Sequence, residues 1–306
     1  MPENGRVNVI NNRNALRKKT EKKICPICEI QSANYFTKKN GFDLYRCKKC
    51  NLMFVWPVSP DFTKIYSKDY FSGAKDSLGY ADYEGDREIT LGVFKTYLEN
   101  IEKHYPKRGK LLDVGSATGH FLELANKHGW EAKGIEISAY ASGIGRKKGL
   151  QIITGKFETF DLPEKYFDAV TFWDVLEHFE KPETAIRQAR KILKPGGILV
   201  LNTPDSASLM AKIFGRRWHA LVPPNHLHIF NQKNMGRLLA KNNFEIVGTD
   251  RVGKEFSLRF FLKVLANWQK MKIFEKAYGQ AMKRRWGNWS VPLNTRDNIF
   301  IMAKKF

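Results

Sequence analysis

The plainest chemistry in this 306-residue chain lies in its four cysteines. They fall as Cys25-Pro-Ile-Cys28 and Cys47-Lys-Lys-Cys50, two Cys-x-x-Cys pairs with residues 29–46 between them. Two such knuckles place four thiolates around one tetrahedral Zn2+. Four sulfurs leave no coordination position for water, so the expected metal is structural. A redox dithiol is the competing reading, but no thioredoxin-like unit surrounds either pair. Tyr35–Thr37 and Asp43–Arg46 are expected to pair as a hairpin, which makes 24–56 a zinc ribbon.

A second centre is Leu111–Phe121, LLDVGSATGHF. It reads as an apolar strand, an acid, a turn of small residues and a helix start. Gly115 and Gly119 let backbone approach a ligand, and the helix start supplies free N–H groups. Asp113 ends the strand where it can fix the loop or receive an amino group. The spacing is Gly-x-x-x-Gly rather than the Gly-x-Gly-x-x-Gly of dinucleotide sites, so taken alone it leaves a nicotinamide enzyme open. Glu136, in GIEIS, follows about 20 residues on, where an acid can hold ribose hydroxyls.

Candidate general bases are histidines. His178 lies in WDVLEHF, after a strand whose carboxyl end should face ligand. It serves equally well as part of a helix start. His226 and His228 lie in VPPNHLHIF and share a face if that segment is extended. As metal ligands this pair lacks an acidic third member nearby.

The elements that must position these residues alternate from Gly109 onward. Strands are expected at Lys110–Val114, Glu131–Ile135, Gln151–Thr154, Ala169–Phe172 and Ile198–Asn202, with helices at Phe121–His128, Ala139–Lys148 and Pro182–Leu193. Lys194-Pro195-Gly196-Gly197 reads as a helix stop. Such alternation specifies an α/β fold with a parallel sheet covered on both faces. Two more strands, Phe244–Thr249 and Asn298–Ala303, flank a long basic, aromatic helical insertion, roughly Phe256–Trp286. The expected organisation is a disordered basic arm (1–23), the ribbon (24–56), a helical linker or cap (57–108) and a catalytic domain (109–306) with an insertion over about 255–290.

Between Leu111 and Asp205, with FDAVTFWDVLEHF and LKPGGILVLNTPD in place, the sequence resembles the class I S-adenosylmethionine-dependent methyltransferases. The likeness is to small-molecule O-methyltransferases of the ubiquinone-biosynthesis type and to relatives from saccharide biosynthesis. The resemblance implies a Rossmann-like seven-stranded sheet with its last strand antiparallel, and S-adenosyl-L-methionine as cofactor. It places Asp113, Gly115 and Gly119 at the methionine side, Glu136 on the ribose, Phe157 and Glu158 near the adenine, and Trp173 and Asp174 over the cofactor. Relatives carry a Pro–His–aromatic segment facing the acceptor, which makes His226 the preferred substrate-side residue and His178 the second candidate. Ala117 departs from the family, which often has Gly there.

Lys plus Arg outnumber Asp plus Glu by 52 to 31, a net charge of +21. That balance favours anionic partners without choosing among them. The leading expectation is O-methylation of a small molecule, a glycan or a lipid-linked intermediate. An RNA methyltransferase is the alternative, and a zinc-ribbon nucleic-acid binder with a vestigial enzyme domain is the third reading. The insertion carries Phe260, Phe261, Val264, Leu265 and Trp268 at helical spacing among Arg259, Lys263, Lys270 and Lys272. It either packs over the acceptor pocket or rests peripherally on an anionic membrane. No apolar run is long enough to span a bilayer and the first residues do not resemble a signal peptide, so a cytoplasmic location is expected.

Overall fold

The computed structural model describes residues 23–58, 63–72, 80–251, 256–269, 272–291 and 295–306. Apart from Lys23, the expected basic arm lies outside them.

At the N-terminal end lie strands β1 (Ala33–Lys39), β2 (Phe42–Cys47) and β3 (Met53–Val55), then helices α1 (Lys68–Ser72) and α2 (Arg87–His104). The alternating unit follows as β4 (Lys110–Val114), α3 (His120–Lys127), β5 (Glu131–Glu136), α4 (Ala139–Lys147), β6 (Ile152–Thr154) and β7 (Phe167–Trp173). It continues with α5 (Pro182–Ile192), β8 (Leu193–Pro204), α6 (Leu209–Phe214), β9 (His228–Ile229), α7 (Gln232–Lys241) and β10 (Phe244–Asp250). The chain ends in β11 (Phe256–Ser257), α8 (Leu258–Gln269), α9 (Lys272–Ala281), β12 (Ser290–Val291) and β13 (Asn298–Lys305).

The main sheet has seven strands in the order β10-β13-β8-β7-β4-β5-β6, and β13 runs antiparallel to both its neighbours. Its central strands are continuous apolar runs because both faces are covered. One face packs Leu112, Val170 and Leu199 against Ala185, Ile186 and Ala189 of α5. That spacing forms a single stripe along a helix, and Pro182 opens α5 where a missing N–H costs nothing. The other face packs Leu111 and Val200 against Tyr97, Leu98 and Ile101 of α2.

Two expectations are corrected. Lys194-Pro195-Gly196-Gly197 does not separate helix from strand: β8 begins at Leu193, and the four residues form an irregularity where its register with β7 shifts. Gly196, at φ 75°, allows that bend. The insertion is not one helix. It is α8 and α9 followed by a 3-10 turn at Arg285–Asn288, with β11 and β12 paired across its ends.

The strands beside the cysteines share their sheet with a later part of the chain. β3 pairs antiparallel with β9, giving a four-stranded sheet β1-β2-β3-β9 whose last strand comes from beyond β8. Cys25, Leu52 and Phe54 share one core with Phe230, Met235 and the main sheet. Among the described residues, no helix is long and apolar enough to cross a membrane.

Candidate active site

A cavity of about 1060 Å³ opens at the carboxyl ends of β4, β5 and β7. Asp113, Gly115, Glu136, Phe157, Glu158, Trp173, Asp174, His178 and His226 all line it. Gly119 does not appear on its wall. The chain turns there into α3 at φ 88°, and an added Cβ would come within 2.2 Å of Leu150 Cδ1, so this glycine serves the turn and its packing. Gly115, at φ 75°, does face the cavity, and a Cβ there would come within 2.5 Å of Val175 Cγ2. Ala117 adopts φ 48°, a conformation that costs a non-glycine residue about 1–2 kcal/mol. Its N–H donates to Glu136 Oε2 at 2.8 Å, which ties the turn to the end of β5.

Glu136 is almost fully buried, and its other oxygen accepts from the Ser138 N–H at 2.8 Å. Burial raises its pKa and these backbone donors oppose the rise. Asp113 is 1% exposed and accepts from Thr171 Oγ1 at 2.7 Å. Burial pushes it up to about 8, against the Thr171 bond and with help from the Glu136 charge.

A folded-state pKa above the unfolded one means that Asp113 stabilises the ligand-free protein fully at acid pH. That stabilisation is lost as pH rises through about 8. A cationic ligand that needs the carboxylate must release its proton below that pH. Affinity for such a ligand should therefore fall by up to about tenfold per pH unit below 8, which calorimetric titration between pH 6 and 9 would measure. Asp113→Asn should flatten the profile.

Trp173 stacks on Tyr97 with centroids 4.7 Å apart, and Asp174, at φ 53°, accepts from Asn202 Nδ2 at 2.8 Å. Over these residues lies an aromatic cap not assigned from sequence, formed by Tyr66, Tyr70, Phe71, Tyr80 and Tyr83. Burial holds the hydroxyls of Tyr70 and Tyr83 well above the usual phenol range, so they stay protonated. Arg259 on α8 fastens the insertion to this cap, bonding Asp82 at 3.1 Å and Asp86 at 2.7 Å. Lys263 Nζ donates to Tyr80 O at 2.8 Å, and burial pushes that amine down to about 8. Phe260 and Val264 of α8 also line the cavity, beside the buried Lys263.

The two histidines of VPPNHLHIF do not share a face. The Asn225 N–H bonds Val222 O at 3.0 Å, which turns the chain before β9 begins. His226 lines the cavity. His228 is buried in β9, with Nε2 on Glu180 O at 3.3 Å, and burial drives it down to about 4. His226 Nδ1 donates to Ala220 O at 2.7 Å, so Nε2 carries the ring's lone pair. The His178 ring stands 4.9 Å from it at 89°, with Nδ1 3.0 Å from the Tyr66 hydroxyl. Burial keeps His178 neutral, at about 4. Glu177, adjacent in sequence to His178, lies with both rings in a group whose ligand atoms are within 4.8 Å of one another. The acidic neighbour missing from the sequence reading is thus supplied by WDVLEHF.

The four cysteine sulfurs also converge within 4.8 Å, with Cys25–Cys50 at 3.5 Å and Cys28–Cys47 at 3.4 Å. Zinc–sulfur bonds of about 2.3 Å set tetrahedral sulfurs about 3.8 Å apart, which fits this set. A disulfide would need about 2.05 Å. Burial pushes the Cys28 thiol up to about 11, so a bound cation is what would favour thiolates here.

This sheet order, with its glycine turn after β4 and its buried acid at the end of β5, defines a class I S-adenosylmethionine-dependent methyltransferase. Residues 87–249 match the model of the methyltransferase-domain family, and the chain belongs to it. An uncharacterised protein of Methanocaldococcus jannaschii is 30% identical over 53% of this chain and 78% of its own length. A ubiquinone biosynthesis O-methyltransferase of Alkalilimnicola ehrlichii is 30% identical over 40% of this chain, and the match spans 53% of that enzyme. Among solved structures, the YcgJ protein of Bacillus subtilis shares the fold at 16% identity and a TM-score of 0.50, over 70% of this chain and 98% of its own.

Proposed function

We propose that this methyltransferase methylates an oxygen of a small acceptor, such as a small molecule, a glycan or a lipid-linked intermediate, with His226 as the general base. The carrying observation is that His226, with its lone pair on Nε2, lines the same cavity as Asp113 and Glu136. In this reading Asp113 receives the donor's ammonium group, Glu136 holds the ribose hydroxyls, and Phe157 and Glu158 flank the adenine. Trp173 and Asp174 form the wall beside the reacting centre, and Gly115 keeps that wall open. The sulfonium supplies an activated methyl group, so the chain's task is alignment and proton removal. The acceptor hydroxyl yields its proton to His226 Nε2 as its oxygen takes the methyl group. Tyr66 and His178, packed beside His226, hold that ring in place.

Cys25, Cys28, Cys47 and Cys50 hold a structural Zn2+ in this reading. The ribbon's partnership with β9 supports a wall of the acceptor pocket over an independent nucleic-acid module. Phe260 and Val264 on the cavity wall, with Arg259 tied to Asp82 and Asp86, likewise support packing over membrane contact. A cytoplasmic location accords with acceptors of this kind.

Purified protein given labelled methyl donor and fractionated cell extract tests the proposal. Label should enter the small-molecule or lipid-extractable fraction, and Glu136→Gln should remove both that transfer and binding of S-adenosylhomocysteine. Label in RNA would overturn it.

A further inference from the structure

The mouth of the cavity is basic, and two segments distant in sequence build it. The turn joining β1 to β2 packs on the segment after α6, where Lys39 Nζ donates to Trp218 O at 3.2 Å and Asn40 Nδ2 to Pro223 O at 2.8 Å. This clamp brings Lys38 to the same cavity as Arg216 and Arg217. All three are exposed, and none has a carboxylate partner among the described residues. Asp297 is engaged by Trp218 Nε1 at 3.1 Å, His219 Nε2 at 3.3 Å and Thr295 Oγ1. Asp43, opposite Lys38 on β2, and Glu180 on the cavity wall form no ion pair with the three cations.

Three cations gathered at one opening raise the local concentration of anions. Arg216 and Arg217, consecutive in the chain, each offer forked donors that match phosphate oxygens, which a lone ammonium does not. One cavity of about 1060 Å³ is lined both by Asp113 and Glu136 and by His226, Arg216 and Arg217, so an acceptor reaching the mouth shares it with the donor site of the proposal.

We infer that the acceptor carries a phosphate or diphosphate ester, gripped at the mouth by Arg216, Arg217 and Lys38, while its reacting hydroxyl lies at His226. This inference rests on reading the His226 end of the cavity as the acceptor site. The ester could belong to a soluble compound or to a lipid. Leu209 and Ile213, 68% and 65% exposed on α6 just before the arginines, would meet the bilayer in the second case.

The full chain, saturated with S-adenosylhomocysteine, is titrated calorimetrically with inorganic diphosphate. Separately it is sedimented with phosphatidylcholine vesicles carrying a prenyl phosphate. Both measurements are repeated with Arg216→Ala/Arg217→Ala and with Lys38→Ala. Binding in either arm that weakens about tenfold or more in the double variant, and less in Lys38→Ala, is the expected result, and the arm identifies the source. Retained affinity for S-adenosylhomocysteine shows that the variants fold. Binding in neither arm, or equal binding by wild type and variants, overturns the inference. Loss of S-adenosylhomocysteine binding by the wild type would instead remove the methyl-transfer reading on which it rests.

Discussion

Removing the zinc that the four cysteines are proposed to hold is expected to abolish methyl transfer while leaving donor binding measurable. The cage sulfurs are mostly buried in a core shared with Phe54, Phe230 and Met235, so losing the ion disturbs more than the N-terminal segment. Asn234 Nδ2, in the capping box of α7, donates to Cys50 O at 3.2 Å, and β3 pairs with β9 two residues beyond His226. The acceptor loop therefore leans on the cage. The donor pocket of the proposal is built by the turn after β4 and the end of β5, whose strands pair within the main sheet and not with β3 or β9. Structural zinc contributes about 10–16 kcal/mol of apparent binding energy in small domains, far more than the usual stability of a whole domain. A strong chelator, or Cys28→Ser, should release one zinc per chain by atomic absorption and lower Tm by more than about 10 °C. Zinc-free protein with unchanged Tm and turnover would remove the metal from the account.

His226→Gln is expected to lower kcat by about 10²–10⁴-fold, the range over which a positioned general base acts. Glutamine keeps the volume and can still donate to Ala220 O, but it has no basic nitrogen. KM for the donor should be unchanged. His178→Gln should be milder in rate and costlier in stability, because that ring is neutral and packed against Tyr66. Equal losses in both variants would point to a shared positioning role instead of a base.

The part of the cavity wall proposed to bind the donor is legible in the sequence because its residues are local. Gly115 and Asp113 belong to one strand and one turn, and Glu136 closes the next strand at a separation set by one helix. The acceptor half is assembled from remote pieces: the β1–β2 turn, the aromatic cap around Tyr80, the 216–226 loop and α8. No local pattern announces that residues 53–55 will pair with 228–229, since the pairing depends on where β8 delivers the chain. The expectation that His226 and His228 share a face failed for a related reason. Alternation assumes extended backbone, and the turn at Val222–Asn225 ends just where the strand begins. The tyrosines of IYSKDYF and GYADYEGD have no regular spacing that marks a site, and only the folded chain brings them to the cavity wall beside the Arg259 tether to Asp82 and Asp86. The stop read at Lys194–Gly197 became a bend within β8 because the register with β7 could absorb it.

The pairing of β3 with β9 has a bearing on how such enzymes can be recombined. A chimera that exchanges the ribbon alone would strand β9 as an open edge and break the clamp from Lys39 and Asn40 onto the acceptor loop. Residues 24–56 and 206–230, though separated by the whole donor-binding unit, form one module of inheritance. Specificity should transplant only when both pieces travel together.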